Sequence, residues 1–256
     1  MHPILFTIPG IPWLKIHTYG VMAALGFVAA LLWIRYRSKY EGLPVAKMYD
    51  LAFLMIVSAI AGSRLLYVIR NWEFFSSDLL AVFKIWEGGL VFQGGLILCV
   101  LVAWRFTRKH QFSFWKIADT FMPGVAIGHA LGRLGCLAAG CCYGRPCDPH
   151  AWYGLVFPPG LTGLAPGGIP LYPTQLMESL GEGLLFAVLA AQSHKKAFDG
   201  QILLLYLILY SLLRIGIEFF RGDIARLHGW TGAQLIALGI FVLACAALIY
   251  RRGSSS

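Results

Sequence analysis

Seven stretches of this chain are apolar for the length of a bilayer crossing, at about 17–34, 48–69, 88–104, 117–134, 175–193, 201–220 and 230–250. A helix rises ~1.5 Å per residue, so about 20 apolar residues cover the ~30 Å hydrocarbon layer. Lipid offers no partner to backbone N–H and C=O groups, which restricts spanning segments to helices or a closed barrel. Windows of this length read as helices. The predicted fold is therefore all-α and polytopic, with about seven transmembrane helices. Only 13% of the residues are charged, about half of the ~25% usual in soluble domains. The stretch 71–86, NWEFFSSDLLAVFKIW, is too short and polar to cross and reads as an interfacial helix rich in aromatics.

The formal charge of +9 raises the question of nucleic acid, but the basic residues sit in short clusters between apolar runs. Arg35, Arg37, Lys39 and Lys47 follow the first window; Arg105, Arg108, Lys109 and Lys116 the third; Lys195 and Lys196 the fifth; Arg251 and Arg252 the seventh. The alternate loops are poorer in basic residues, with Arg145, Arg221 and Arg226 as exceptions. This is the pattern of membrane topology, and it predicts no nucleic-acid partner. By the positive-inside rule the N-terminus is outside and the C-terminus cytoplasmic. A single transmembrane domain is expected over 1–250, with outward loops at 135–174 and a short cytoplasmic tail, 251–256, whose GSSS end reads as disordered. The outward side then also carries the Pro/Gly-rich loop 157–174 and the RGDIAR segment. Met1 to Trp13 has no basic n-region, so no cleavable signal is expected.

Ionisable residues within or beside apolar windows are costly unless partnered, and so mark sites. They are Arg64, Arg133, Glu178, Arg214 and Glu218. Arg214 and Glu218 are spaced i, i+4 on one helical face and can pair. Read alone, such a pair is equally an ion pair tying spans together. Arg133, Glu178, Arg214 and Glu218, however, come from three spans and all lie near outward ends. Two guanidiniums meeting at headgroup level suit a lipid phosphate, whose oxygens they grip bidentately. EGGLVFQGGL, residues 87–96, places Gly94 and Gly95 after Gln93. The glycines fit either small-residue helix packing or a turn that lets a headgroup approach Gln93. Tyr19 reads as an interfacial aromatic unless it and His17 face the same cavity.

GRLGCLAAGCCYGRPC, residues 132–147, holds four cysteines, four glycines and two arginines. The spacing C-x4-C-C-x4-C admits three uses. A disulfide such as Cys142–Cys147 would staple a loop facing an oxidising compartment, a vicinal Cys141–Cys142 bridge being strained. Metal binding with His129 or His150 ranks behind, because the spacing lacks the paired C-x2-C of zinc modules. A chemical role for Cys136 and Cys141, with Cys142 and Cys147 resolving or structural, follows from the cation beside them, since a thiol near Arg133 is made reactive. Cys99 and Cys245 lie in apolar spans and read as packing residues.

Taken together, HTYGVMAALGF, AGSRLLYVI, FKIWEGGLVFQGGL, GRLGCLAAGCCYGR, GLVFP, YPTQLMESLGEG, RIGIEFFR and TGAQL resemble, in order along nearly the whole chain, the prolipoprotein diacylglyceryl transferase family. The resemblance implies a seven-span enzyme of the bacterial cytoplasmic membrane, its active site toward the outer side. Such an enzyme moves diacylglyceryl from phosphatidylglycerol to the thiol of a lipobox cysteine and releases glycerol phosphate. It implies phosphate binding by Arg133 and Arg214, supporting roles for Glu178 and Glu218, and headgroup contacts from Tyr19, Gln93, Gly94, Gly95 and Arg64. The partners implied are an anionic phospholipid and a lipobox-type peptide or other thiol acceptor, with no cofactor. The chain departs from the family pattern where His-Gly-Gly-Leu becomes Gln93-Gly94-Gly95-Leu96, replacing an imidazole with an amide that takes no proton near neutral pH. Cys136 and Cys141 stand where the family has Asn and an acidic residue. His129, four residues before Arg133 on the same face, is spaced to supply the missing imidazole. The alternative reading is a thiol-dependent membrane enzyme, redox or alkyl-transferring, working through Cys136, Cys141 and Cys142. A non-catalytic lipid or metal binder is the third.

Overall fold

The computed structural model describes residues 4–7, 15–159, 165–222 and 229–253. Among them, seven long helices match the seven apolar windows: α1 (Thr18–Tyr40), α2 (Val45–Arg70), α4 (Phe92–Lys109), α5 (Phe114–Ala139), α6 (Thr174–Ser193), α7 (Gln201–Glu218) and α8 (Gly232–Gly253). A single turn, α3 (Trp72–Phe75), follows α2. Helices α1, α2, α5, α7 and α8 are long and apolar enough to cross a membrane. The chain is thus an all-α, multi-pass membrane protein. Helix α4 carries Arg105, Arg108 and Lys109, and α6 carries Glu178 and Glu182. Two short antiparallel ladders complete the described chain, β1 (Ile4–Thr7) with β2 (Lys15–His17) and β3 (Leu155–Val156) with β4 (Pro170–Leu171). Helix α1 runs past its apolar window because Arg35, Arg37 and Lys39 are good helix formers; the apolar run ends before the helix does. At the other end α8 continues through Gly253, so Arg251 and Arg252 are helical, while 254–256 and most of RGDIAR lie outside the described residues.

The helices gather into two compact units, Ile34–Ile117 and Met1–Trp33 with Ala118–Ser256. In the first, α2 and α4 cross at glycines. A Cβ on Gly94 would stand 2.2 Å from Gly62 O and 2.5 Å from Leu66 Cβ, and one on Gly95 would stand 2.4 Å from Ser63 Oγ. Small residues let helix backbones meet where lipid gives no hydrophobic drive. Gly94 and Gly95 thus lie in the helix crossing, as the small-residue packing reading expects. The loop after α2 is not the single interfacial helix expected over 71–86. Beyond α3 it forms two short 3₁₀ turns, Leu79–Phe83 and Ile85–Glu87. The break falls at Asp78, whose carboxylate accepts the Leu80 and Ala81 N–H groups and starts a new turn. Arg64 holds this loop: its Nη2 donates to Ala81 O at 2.6 Å, Nε to Val82 O at 2.9 Å and Nη1 to Gly88 O at 2.7 Å. The buried guanidinium thus closes a loop of irregular backbone that would otherwise leave carbonyls unsatisfied.

The Gly62–Gly94 crossing makes a prediction. Gly94→Ala lowers the thermal midpoint in detergent, because both obstructing atoms are fixed and overpacking costs about 1–3 kcal/mol. Gly183→Ala, in α6, meets nothing within 4 Å and should leave the midpoint unchanged or higher. Equal behaviour of the two variants would refute the close crossing.

In the second unit, Ala126, Leu185, Leu189, Ile202 and Tyr206 form a buried core from α5, α6 and α7. Helix α1 crosses α5 where a Cβ on Gly26 would sit 2.8 Å from Gly128 O. Trp33 Nε1 donates to Thr120 O at 3.1 Å. Asp119 accepts the Gly200 and Leu203 N–H groups at 2.8 and 3.0 Å, a cap for the start of α7 supplied by a neighbouring helix. Large apolar side chains such as Leu180, Leu184 and Leu243 are exposed, as lipid contact requires. Asp119 and Arg133 lie 14 residues apart on α5, or ~21 Å at 1.5 Å per residue. One end of this unit is thus fastened by Asp119, and the other is left for the remaining charges.

Candidate functional site

At that other end α5, α6 and α7 bring four of the predicted charges together. Arg133 Nη2 lies 2.7 Å from Glu178 Oε1, and Arg214 Nη1 reaches the same oxygen at 3.3 Å. One carboxylate oxygen therefore holds two guanidiniums. Arg214 also pairs with Glu218 across one helical turn, Nη2 to Oε2 at 2.9 Å, as the i, i+4 spacing requires. Glu178 and Glu218 are almost completely buried, while the two arginine side chains keep 14% and 15% of their surface. The carboxylates thus form the floor and the guanidiniums the accessible face. Arg133 Nη1 has no partner among the described residues.

His129 stands as its spacing predicts. Arg133 Nε donates to His129 Nε2 at 3.2 Å. A nitrogen that accepts carries no hydrogen, so the ring proton is on Nδ1, which lies 2.7 Å from Glu182 Oε1. A chain of Glu182, His129, Arg133 and Glu178 results, with the Tyr210 ring 5.7 Å from the imidazole. Glu182 was missed by sequence reading, although it falls four residues after Glu178 and is completely buried.

A second missed pair lies in TGAQL. The Thr231 hydroxyl accepts from Gln234 N at 3.2 Å, and Gln234 Oε1 accepts from Thr231 N at 3.0 Å. This reciprocal capping box starts α8. The same hydroxyl donates to Glu218 Oε1 at 2.9 Å. Glu218 is therefore held between Arg214 and the first turn of α8.

The cysteines are brought together by the way α5 ends. Gly140 has φ of 69°, its N–H bonds Leu137 O at 3.3 Å, and Cys141 N–H bonds Cys136 O at 3.2 Å. This is a Schellman motif, whose last residue characteristically contacts the one five positions before it. The C-x4-C spacing is therefore the spacing of a helix cap, and it sets Cys141 against Cys136. Cys142 follows with φ of 59°, a left-handed conformation uncommon for a residue with a Cβ. The three Sγ atoms all lie within 4.8 Å of one another. Hydrogen bonds from the Cys136 and Cys141 thiols hold the Cys142 thiol well below the usual range, with Arg133 and Arg221 contributing, while the same contacts and burial push Cys141 up. All six cysteines are free thiols, so the Cys142–Cys147 staple is not formed.

The loop that carries these thiols is fixed from two sides. Gln175 Nε2 donates to Cys141 O at 2.8 Å and Thr174 Oγ1 to Cys142 O at 2.9 Å, tying it to the start of α6. Arg145 N donates to Phe220 O and Gly222 N to Tyr143 O, at 2.8 and 3.2 Å, tying it to the segment after α7. A Cβ on Gly144 would stand 2.3 Å from Tyr172 O, which explains the glycine there. The helical part of the expected loop 135–174 extends to Ala139.

Tyr19, at the start of α1, packs against the last turns of α5, beside Cys136: a Cβ on Gly135 would lie 3.1 Å from its ring. Arg64, Gln93, Gly94 and Gly95 belong to the first unit. Gln93 is exposed, whereas Arg64, Gly94 and Gly95 have the structural contacts described above.

The family model for prolipoprotein diacylglyceryl transferase matches residues 3–250. Among similar proteins, phosphatidylglycerol–prolipoprotein diacylglyceryl transferase 2 of Clostridium perfringens is 33% identical over 237 residues, covering 93% of this chain and 91% of the relative. Its counterpart in Geobacter sulfurreducens is 34% identical over 249 residues, 93% of each chain. The Dehalococcoides mccartyi protein of the same name is 34% identical over 258 residues, covering 98% of this chain and 94% of its own. With a match of this extent, and the ordered charges of α5, α6 and α7 behind it, the chain belongs to the prolipoprotein diacylglyceryl transferase family.

Proposed function

We propose that this chain transfers the diacylglyceryl group of phosphatidylglycerol to the thiol of a lipobox-type cysteine, at the outer side of a bacterial cytoplasmic membrane. The observation that carries this reading is the convergence of Arg133 and Arg214 on Glu178 Oε1, which presents two guanidiniums with their carboxylates beneath them. Their fixed donors suit a phosphate ester that gains charge as it leaves. In the reaction the acceptor sulfur forms a bond to the glycerol carbon of the diacylglyceryl group. The carbon–oxygen bond to phosphate breaks, and its electron pair departs with glycerol phosphate. Glu178 and Glu218 hold the arginines, and Tyr19 borders the headgroup space. The relatives named above carry this activity in their names, which favours it over a redox role for the thiols.

His129 positions Arg133 in this scheme. Its Nε2 lone pair already accepts from Arg133 Nε, so it orients the guanidinium instead of taking the acceptor's proton. A hydrogen bond to a charged group contributes about 1.5–3 kcal/mol. His129→Leu should therefore lower the transfer rate at least about tenfold, since ~1.4 kcal/mol is a factor of ten. His129→Gln, whose amide oxygen accepts the same bond, should recover most of it. Equal loss in both variants would make the imidazole the base. The transfer assay itself uses purified protein, labelled phosphatidylglycerol and a lipobox peptide; absence of thioether product from folded, reduced protein would overturn the reading.

A further inference from the structure

The transfer needs a thiolate, and the imidazole nearest Arg133 is occupied by that arginine. Three sulfurs cluster nearby instead, and the thiols of Cys136 and Cys142 interact electrostatically with Arg133. We propose that Cys136, Cys141 and Cys142 form a three-thiolate site for a thiophilic d¹⁰ cation such as Zn²⁺, whose open fourth position binds and activates the acceptor's sulfur.

The distances allow it. Zinc–sulfur bonds of about 2.3 Å put ligand sulfurs roughly 3.8–4.0 Å apart in tetrahedral or trigonal arrangements. The three Sγ atoms already lie within 4.8 Å of one another before any ion is bound. The arrangement is also built, not casual. Cys136 and Cys141 are juxtaposed by the Schellman cap of α5, and Cys142 is turned toward them by its left-handed backbone. Gln175 and Thr174 then fix the carbonyls of Cys141 and Cys142 from α6. A ligand set drawn from a helix cap does not have the C-x2-C signature, which is why spacing alone ranked a metal low.

Charge supports the same occupant. Three thiolates and a dication carry one net negative charge, and the guanidiniums of Arg133 and Arg221 act on this cluster. A bridge between adjacent Cys141 and Cys142 is strained, and one from Cys136 to either of them is the oxidised competitor that reductant removes. Zinc sites with three protein ligands and one exchangeable position are the catalytic kind.

This role rests on the diacylglyceryl-transfer reading. A thiol that coordinates the ion gives up its proton, so the step needs no imidazole base. Sulfur then attacks the glycerol carbon, the carbon–oxygen bond breaks, and the electron pair leaves on the phosphate oxygen held by Arg133 and Arg214. The thioether product has lost the negative charge that bound it and is released; the displaced proton passes to solvent. Nothing is oxidised or reduced.

The test uses the full-length protein in detergent with reductant, stripped by chelator and then titrated with Zn²⁺ or with Co²⁺. One Zn²⁺ per chain is expected by elemental analysis, and Co²⁺ should give sulfur-to-metal charge-transfer absorption. Cys136→Ser, Cys141→Ser and Cys142→Ser should each lose both, and Cys245→Ser should keep them. A reading without variants guards against misfolding: bound Zn²⁺ should shield Cys136, Cys141 and Cys142, but not Cys245, from iodoacetamide in mass spectrometry. Stripping should lower transfer at least a hundredfold, with recovery on one equivalent of Zn²⁺. Failure to bind the ion, or full transfer by stripped protein, overturns the proposal and leaves the transferase reading standing. Zinc held by the three sulfurs in a protein that never transfers lipid overturns the activating role because the transferase reading has itself failed.

Discussion

Arg133→Lys lowers the rate of diacylglyceryl transfer by about 10²–10³-fold, the loss expected when one donor to a developing anion is removed (about 2.7–4 kcal/mol). The size follows from how the guanidinium is divided. Its Nε and Nη2 are engaged by His129 and Glu178 at 3.2 and 2.7 Å, which leaves Nη1 for the substrate. A lysine brings one compact ammonium, which can stay with Glu178 or turn to the phosphate but cannot present a planar fork to both. The effect should fall mainly on kcat, because the interaction strengthens as charge moves onto the leaving phosphate. Measured kinetics on folded Arg133→Lys protein would decide this; a rise in KM alone would mean that Arg133 only docks the lipid.

The second large effect is on folding. Glu178→Leu removes a buried anion that holds two part-buried cations, and breaking such an arrangement by deleting one partner costs about 3–5 kcal/mol. At roughly 2–4 °C per kcal/mol for a chain of this size, the thermal midpoint should drop by about 6–20 °C. Removing Arg214 as well, in Glu178→Leu with Arg214→Leu, should recover part of that loss, since the charge left unpaired is itself what destabilises. If Glu178→Leu unfolds at the wild-type temperature, the carboxylate is not the floor of the site.

The seven helices were legible because lipid leaves apolar length as the dominant signal, and no tertiary preference competes with it. Pairings confined to one helix were legible too: Arg214 with Glu218 and His129 with Arg133 follow from four-residue spacing. Glu182 escaped notice because it sits deep in α6 and its meaning depends on the facing side of α5, which no local pattern encodes. The cysteine spacing was visible but not interpretable until Gly140 fixed where α5 ends. At Gly94 and Gly95 the sequence left helix packing and headgroup approach side by side, and the structure supplies the contact that packing requires. The break of 71–86 at Asp78 turned on a single side chain accepting two N–H groups, a local competition that aromatic content conceals.

The bond from Thr231 to Glu218 has a consequence for how the enzyme comes into being. Glu218 braces Arg214, and the hydroxyl that braces Glu218 belongs to the cap of the last helix. A nascent chain that has threaded six helices into the bilayer already contains both arginines and all three clustered thiols, yet Glu218 lacks that restraint. The ion pairs of α5, α6 and α7 can form first, and the last brace on Glu218 is added only when the ribosome has delivered α8.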